Sequence, residues 1–471
     1  MKQTKIVASI SDRRCSVDFI RELFEAGVNV IRMNTAHADE EGIRTIIRNV
    51  REVSPHLGIL IDTKGPEIRT TYCEATIEYK TDEIVKIYGN PEANTEHDAI
   101  SLTYPNIAED LKVGTRILFD DGALQMTVTA IEGKEITARV DNDGKLGSRK
   151  SVNVPGVHIA LPALTEKDIK NINLAIDEDI DFIAHSFVRS AADVKAVQDI
   201  LDARGSDIKI ISKIENQEGV DNIDEIIASS YGIMIARGDL GIEVPIAHIP
   251  GIQRQIIYKC ILNNTPVIVA TQMLHTMIDN PRPTRAEVTD IANAIYSRTD
   301  ALMLSGETAS GKYPVEAVKT MADIAEHAER EKMHALDFPI PMREDCTLRE
   351  YMSHTAVEAT KKLDLQGIIT DSGTGETARL LASFRGQYPV LALCYHEKLQ
   401  RWLNLSYGVI PVYFKEKKST AEMFSTAVRM LHQKNYVKST DRVAYLSATE
   451  VNGATETNML EINIVSDILN K

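Results

Sequence analysis

Short apolar runs that end in polar residues recur along the chain, each followed by a stretch of helical period. The runs are KIVASI (5–10), NVIRMNTA (29–36), GILIDTKG (58–65), DFIAHSFV (181–188), IKIISKIE (208–215), GIMIARGD (232–239), PVIVATQM (266–273) and ALMLSGET (301–308). Most lack a strict apolar–polar alternation, as expected for parallel strands covered on both faces. Stretches such as SAADVKAVQDILDARG and GIQRQIIYKCILNN fill the intervals with amphipathic helix. Eight strand–helix units predict a (β/α)8 TIM barrel, with working residues at the carboxyl ends of the strands.

The repeat breaks once. Residues 70–156 hold short alternating runs (DEIVKIYG, TRILF, LQMTVTAIE, EITARV) separated by DDG, EGK and DNDG, which are hairpin turn signals. They predict a small antiparallel β-barrel domain inserted after the third strand, a cap able to close over the barrel mouth. After DFPIPMREDCTLRE, the strands GIITD, PVLALC, VIPVYF, RVAYLSA and EINIV alternate with helical stretches, predicting a C-terminal α/β domain. The expected division is 1–69 with 157–338 for the catalytic barrel, 70–156 for the cap, and 339–471 for a C-terminal domain with a regulatory role.

Composition changes this picture little. The chain of 471 residues is 43% hydrophobic and 26% charged, as ordinary globular proteins are. Its net charge of −15 argues against nucleic acid as a partner, yet a local cluster of Lys and Arg can still dominate a cleft. Five dispersed cysteines without a C-x-x-C pair point to reduced thiols. The N-terminal apolar run is too short for a signal peptide, and no run approaches the ~18 apolar residues of a membrane span. A cytoplasmic protein is expected, with no membrane partner.

Candidate chemistry gathers at the strand ends. Residues i and i+2 of a strand share a face. That spacing recurs in Arg32 and Asn34, Asp62 and Lys64, Lys213 and Glu215, Arg237 and Asp239, and Ser305 and Glu307, while Thr271 ends the seventh strand. One such pair reads as a salt bridge between strands; five at one end of a barrel read as a site. A lysine inside the apolar run IKIISKIE is costly to bury unless it is paired or used. Glu215 and Asp239 offer the two oxygen ligands that Mg2+ commonly takes from protein. Arg32, Arg69, Lys213 and Arg237 offer a positive lining for phosphate and carboxylate. Two glycines in ARGDLG (236–241) let backbone N–H groups approach an anion, by itself a weak signal. No Ser-His-Asp or Cys-His set and no Walker loop is apparent. The residues point to phosphoryl transfer by positioning and charge neutralisation.

The segments ISKIENQEG, MIARGDLGIE, ATQMLHTMIDNPRPTRAEVTDIANA, MLSGETASGKYPVEAV, IDTKGPEIR and LPALTEKD closely resemble the motifs of the pyruvate kinase family. The likeness runs in order through all eight strands, includes the insertion, and extends more loosely to the C-terminal domain. It implies transfer of the phosphoryl group of phosphoenolpyruvate to ADP, giving pyruvate and ATP, in a homotetramer. By that resemblance Glu215 and Asp239 bind Mg2+ or Mn2+, and Lys213 meets the phosphoryl group. Gly238 and Asp239 hold the substrate carboxylate near Thr271. Arg32 and Arg69 face phosphates. Asn34, His37 and Lys167 stand around the nucleotide and K+, and Ser305 with Glu307 around a proton relay. For His37 alone, a structural histidine at a loop start is the competing reading.

Two departures bear on K+. The family commonly has Ser where Ala36 stands, beside the K+ ligands Asn34, Asp62 and Thr63, and Thr35 in a strand points to the other face. Glu67, however, is the residue of potassium-dependent members, so K+ activation through a weakened site is expected. The first strand also runs into SISDRR where the family has a Gly-Pro turn. In the C-terminal domain, Thr370, Ser372, Gly373, Thr374, Gly375 and Thr377 form a loop placed to cradle a phosphorylated effector. Asp371 and Glu376 oppose an anion there, as does the absence of Lys and Arg from the late loop 447–459, so an ordinary βα turn stays open as the alternative. Two further readings remain: another Mg2+-dependent barrel enzyme of phosphoenolpyruvate or pyruvate, such as a lyase or mutase, and a non-catalytic effector-binding relative. The cap and Lys213 weigh against the first; retention of Lys213, Glu215 and Asp239 weighs against the second.

Overall fold

The protein is described here from a computed structural model covering residues 2–35, 39–332, 342, 345–415, 420–451 and 454–470. Eight parallel strands close into a barrel: β1 (Lys5–Ile10), β2 (Val30–Asn34), β3 (Gly58–Asp62), β4 (Phe182–His185), β5 (Lys209–Ile214), β6 (Gly232–Ala236), β7 (Val267–Ala270) and β8 (Ala301–Leu304). Each pairs with its sequence neighbour, and β1 pairs with β8. Both faces of these strands are apolar. Ile6, Ile31, Ile61, Ile183, Ile210, Ile233, Val269 and Leu302 pack outward under the helices. Val7, Val30, Leu60, Phe182, Ala184, Ile211, Met234, Ile268 and Met303 fill the interior. This double burial is why the strands carry no alternation in the sequence.

The inward row changes character as it climbs. Val30 is followed two residues on by Arg32, Leu60 by Asp62, Ala184 by Ser186, and Ile211 by Lys213 and then Glu215. The floor is oil and the mouth is charge, because inward positions recur every second residue.

The chain leaves the barrel after β3. Ile68–Arg69 already pairs with Ser151–Asn153, so entry into the inserted sheet lies at Ile68. That sheet has seven strands, and a bridge from Thr70 to Leu102 ties its two ends together. It is antiparallel except for Ile84–Gly89 beside Ala99–Leu102, which run parallel. DDG and EGK make hairpins, with Asp120, Asp121 and Gly122 all at positive φ. DNDG does not: it leads to Gly144–Leu146, which pairs with the distant Ile77–Tyr79.

The C-terminal sheet has the order β11 (Val409–Tyr413), β10 (Val390–Cys394), β9 (Gly367–Ser372), β12 (Arg442–Val451), β13 (Ala454–Ile464), parallel up to an antiparallel final pair. Residues 447–451 and 454–459, read from sequence as part of a loop, belong to that long hairpin. The domain sits under the amino-terminal floor of the barrel. Leu405 joins the interior cluster, Lys5 Nζ donates to Val409 O (2.6 Å), and Arg385 pairs with Asp300 (2.8 Å). Buried Asp181, immediately before β4, accepts from Arg401 Nε of the C-terminal domain (2.5 Å) and from Arg51 Nη2 (2.9 Å). All five cysteines are free. No helix among the described residues is long and apolar enough to cross a membrane.

Candidate active site

The ends of β2, β3 and β5 bring four predicted groups together, Arg32, Asp62, Lys213 and Glu215. Asp62 is 2% exposed; its Oδ1 accepts from Arg32 Nε (2.9 Å) and its Oδ2 from Arg32 Nη2 (2.5 Å). Arg32 Nη1 is held by Ser9 Oγ (2.9 Å). Lys213 Nζ lies 2.9 Å from Glu215 Oε1, 3.3 Å from Asp62 Oδ2, and donates to Ser186 Oγ (2.8 Å). Burial alone would lower the lysine pKa, but the Glu215 and Asp62 carboxylates outweigh it and hold the ammonium charged. Burial would likewise raise Asp62, and the charges of Arg32 and Lys213 reverse that, leaving it below the usual carboxylate range.

Ser186 was missed in the sequence, where HSFV reads as wall. It is 2% exposed and clamps the end of β3: its N–H donates to Thr63 Oγ1 (2.9 Å) and its hydroxyl to Thr63 O (2.7 Å). With its proton committed to Thr63, the hydroxyl offers Lys213 a lone pair. Buried His185 was missed too; its Nδ1 lies 3.4 Å from Thr63 Oγ1.

Asp239 follows β6, but it lies in a short helix, Arg237–Glu243, and not in a strand. Its pKa is raised to about 7, by burial first and then by the neighbouring Glu215 charge. Glu215 Oε2 accepts from Phe187 N (2.7 Å), while Oε1 touches Lys213 without accepting a hydrogen bond of good geometry. Two crowded carboxylates, one pushed up by burial and by the charge of the other, suit a divalent cation, whose charge would relieve both. No cluster of three or more His, Cys, Asp or Glu able to hold a metal occurs among the described residues, so an ion here would take two carboxylates and complete its shell from substrate and water.

Thr271 stands at φ +70°, followed by Gln272 at +54°, a conformation that β-branched residues rarely adopt. It aims the hydroxyl back: Oγ1 accepts from Gly238 N (2.8 Å) and donates to Ala270 O (2.6 Å).

Other predicted positions fall differently. Arg237, expected in the cationic lining, turns away from the cleft. Its Nη1 pairs with Asp290 (2.7 Å), and Nη2 donates to Thr271 O (2.7 Å). Ser305 and Glu307 share no strand face, because a helix begins at Gly306. Buried Glu307 accepts from Ser305 N (2.8 Å) and Leu274 N (3.1 Å), which ties the loops after β7 and β8. Arg69 lies on the inserted sheet, paired with Glu67 (2.8 Å) and donating to Arg149 O (2.9 Å). Lys167 is exposed in the first turn of Glu166–Asp177, and Asn34 is exposed at the end of β2. Thr35 Oγ1 donates to Asp62 O (2.6 Å), away from the cluster. Ala36 and His37 lie outside the described residues.

In the C-terminal loop, Ser372 Oγ accepts from Gly375 N (2.7 Å), and Gly375 has φ +84°. Thr370 is buried, Thr374 Oγ1 accepts from Glu376 N (3.4 Å), and Thr377 Oγ1 lies 3.3 Å from Thr457 Oγ1. Gly373 has open space around it. Asp371 accepts from Tyr395, Tyr445 and Ser447, and Glu376 pairs with Arg349.

Between the barrel mouth and the inserted sheet lies a cavity of about 320 Å3, bordered by Glu67, Asp121, Asn153, Asp239 and Glu243. Asn153 Nδ2 donates to Glu243 Oε1 across it (3.0 Å). A capped (β/α)8 barrel whose mouth pairs fixed cations with two crowded carboxylates defines an enzyme of anionic, metal-chelating substrates. Comparison with known proteins narrows the class. The family model "Pyruvate kinase, barrel domain" matches residues 1–318, and "Pyruvate kinase, alpha/beta domain" matches 350–463. The chain is 46% identical to a pyruvate kinase of Borreliella burgdorferi, covering 99% of this chain and 98% of that one. It is 42% identical to a pyruvate kinase of Bacillus licheniformis, covering 100% of this chain and 82% of the other. The crystal structure of a pyruvate kinase from Cryptosporidium parvum superposes with a TM-score of 0.91 at 34% identity, over 98% of this chain and 96% of that one. The chain belongs to the pyruvate kinase family, phosphotransferases that make pyruvate and ATP from phosphoenolpyruvate and ADP.

Proposed function

We propose that this chain carries out the family reaction with Lys213 at its centre and the remaining predicted residues around it. The buried ammonium, fixed by Ser186, Asp62 and Glu215, is the observation that carries the reading. An oxygen of the ADP β-phosphate attacks phosphorus in line, the bond from phosphorus to the enol oxygen breaks, and the enolate left behind takes a proton at its methylene carbon. Lys213 and Arg32 neutralise the charge on the phosphoryl oxygens in flight. The Gly238 and Asp239 amides and the Thr271 hydroxyl orient the substrate carboxylate. Arg69, Asn34, His37 and Lys167 serve the nucleotide. Glu215 and Asp239 hold Mg2+ or Mn2+, which supplies Lewis-acid charge to the substrate oxygens when bound. Asn34, Asp62 and Thr63 hold K+; Glu67 supports that dependence, and Ala36 removes one ligand. Ser305 and Glu307 act on the proton relay through placement of the loops after β7 and β8.

The working unit is a barrel of 1–69 and 157–338, a cap of 70–156 whose sheet already starts at Ile68 and whose closure excludes water, and a regulatory domain of 339–471. It acts in the cytoplasm as a homotetramer. A phosphorylated effector at Thr370–Thr377 would bind against the charge of Asp371, which three hydroxyls hold, and of Glu376, which Arg349 pairs. The test is a coupled assay of pyruvate from phosphoenolpyruvate, ADP and Mg2+. Lys213→Met lowers kcat by about 10^2- to 10^3-fold, as loss of a fixed donor to developing charge does. An inactive wild type, or a variant within threefold of it, refutes the reading. Omitting K+ in Na+-free buffer lowers the rate; equal rates remove K+ from the scheme.

A further inference from the structure

A left-handed threonine must be held in place, and the groups that hold Thr271 have no part in the reaction described above. Arg237 Nη2 donates to Thr271 O (2.7 Å) and Nε to Ala270 O (3.3 Å), so one guanidinium grips the two carbonyls that flank the reversal of φ. Its other arm, Nη1, meets both oxygens of Asp290 (2.9 and 2.7 Å) on the helix Arg285–Tyr296. Gln253 Oε1 is 3.5 Å away and Met273 Sδ 3.5 Å from Nη2, closing the pocket around it. The side chain is 11% exposed and its planar fork is fully engaged, which leaves it no donor to aim into the cleft. Strained backbone persists only where its surroundings over-determine it. Every polar contact Arg237 makes beyond its ion pair and Gln253 falls on residues 270–273.

We propose that Arg237 and Asp290 are positioning residues for the reaction. Together they lock Thr271 at positive φ, and so aim its hydroxyl and the Gly238 N–H bonded to it at the substrate carboxylate. The proposal rests on the role given to Thr271 above. A lysine could not reproduce the grip, since a single ammonium cannot bridge two carbonyls and a carboxylate in one plane.

The test combines Arg237→Met, Arg237→Lys and Asp290→Asn with Thr271→Ala. Arg237→Met is expected to lower kcat about tenfold or more with the KM for ADP unchanged, and Asp290→Asn to lower it several-fold. In the Thr271→Ala background Arg237→Met becomes silent, within twofold, while its effect on the thermal midpoint is the same in both backgrounds. Equal kinetic losses with and without Thr271, or a normal kcat for Asp290→Asn, overturn the proposal. So does a rise in the KM for phosphoenolpyruvate that persists undiminished in the Thr271→Ala background, the sign of direct substrate binding by Arg237. A crystal structure of Arg237→Met reads the positioning whether or not the wild type turns over. Thr271 relaxes to negative φ if the proposal holds, and a retained φ near +70° refutes it. An inactive wild type with a relaxed Thr271 in the variant would instead sink only the functional reading.

Discussion

His185 offers a stability prediction that isolates one buried group. The residue is fully buried at the end of β4, and burial, partly opposed by Asp193 and Asp168, lowers its pKa from 6.5 to about 4. The folded protein therefore holds it neutral where the unfolded chain would protonate it. Above pH 6.5 both states are neutral and the group contributes no pH dependence. Below 6.5 the unfolded chain binds the proton first, so stability falls with pH until the folded form titrates near 4. At 1.36 kcal/mol per pH unit, the full window costs about 3 kcal/mol. His185→Gln keeps a polar group near Thr63 and cannot titrate. Urea unfolding of the wild type and the variant, followed at pH 7.5, 6.5, 5.5 and 4.5, subtracts every other titration common to both. The stability of the wild type relative to the variant should stay constant down to about pH 6.5, then decline by roughly 1.4 kcal/mol per unit. Parallel profiles from pH 7.5 to 4.5, or a wild type that gains on the variant as pH falls, would show that His185 is not held neutral.

Two further outcomes follow from packing. Gly89→Ala places a Cβ 2.4 Å from Pro105 O and 2.5 Å from Tyr104 O, both backbone, so the inserted sheet loses about 1–3 kcal/mol and limited proteolysis should cut it first, inside 70–156; an uncut cap would contradict this. Glu307→Gln leaves one of two backbone N–H donors without its carboxylate acceptor. It should cost about 1–3 kcal/mol in thermal unfolding and lower kcat by less than tenfold; a loss beyond a hundredfold with an unchanged melting temperature would make Glu307 the proton donor itself.

The barrel was legible because both faces of its strands are apolar, so strand ends could be found from where charge begins. The i, i+2 rule then found Arg32, Asp62, Lys213 and Glu215 together, because β2, β3 and β5 stay extended to their last functional residue. It misled at Arg237 and Ser305, where the chain turns into helix directly after the strand and alternate residues no longer share a face. Ser186 and His185 were invisible for the opposite reason: uncharged, between apolar residues, they resemble wall. The DNDG turn marked a reversal of the chain, but turn chemistry cannot name the strand that the next segment joins. The segment 447–459 read as a loop because it is polar, and the cross-strand pairing of 447–451 with 454–459, not composition, makes those residues sheet.

One strand deserves a mechanical reading. Asp181 and Ser186 bracket β4, the first gripped by Arg401 of the C-terminal domain and the second gripping Lys213. Five residues of extended chain span roughly 16 Å. The shortest covalent route from the C-terminal domain's arginine contact to the lysine's hydroxyl partner is therefore a single stiff rod through the barrel wall, with an ion pair at its base and a hydroxyl at its tip. Both ends are buried, Asp181 at 0% and Ser186 at 2% exposure, so one short strand fastens the domain contact below and the lysine's partner above to the same extended backbone.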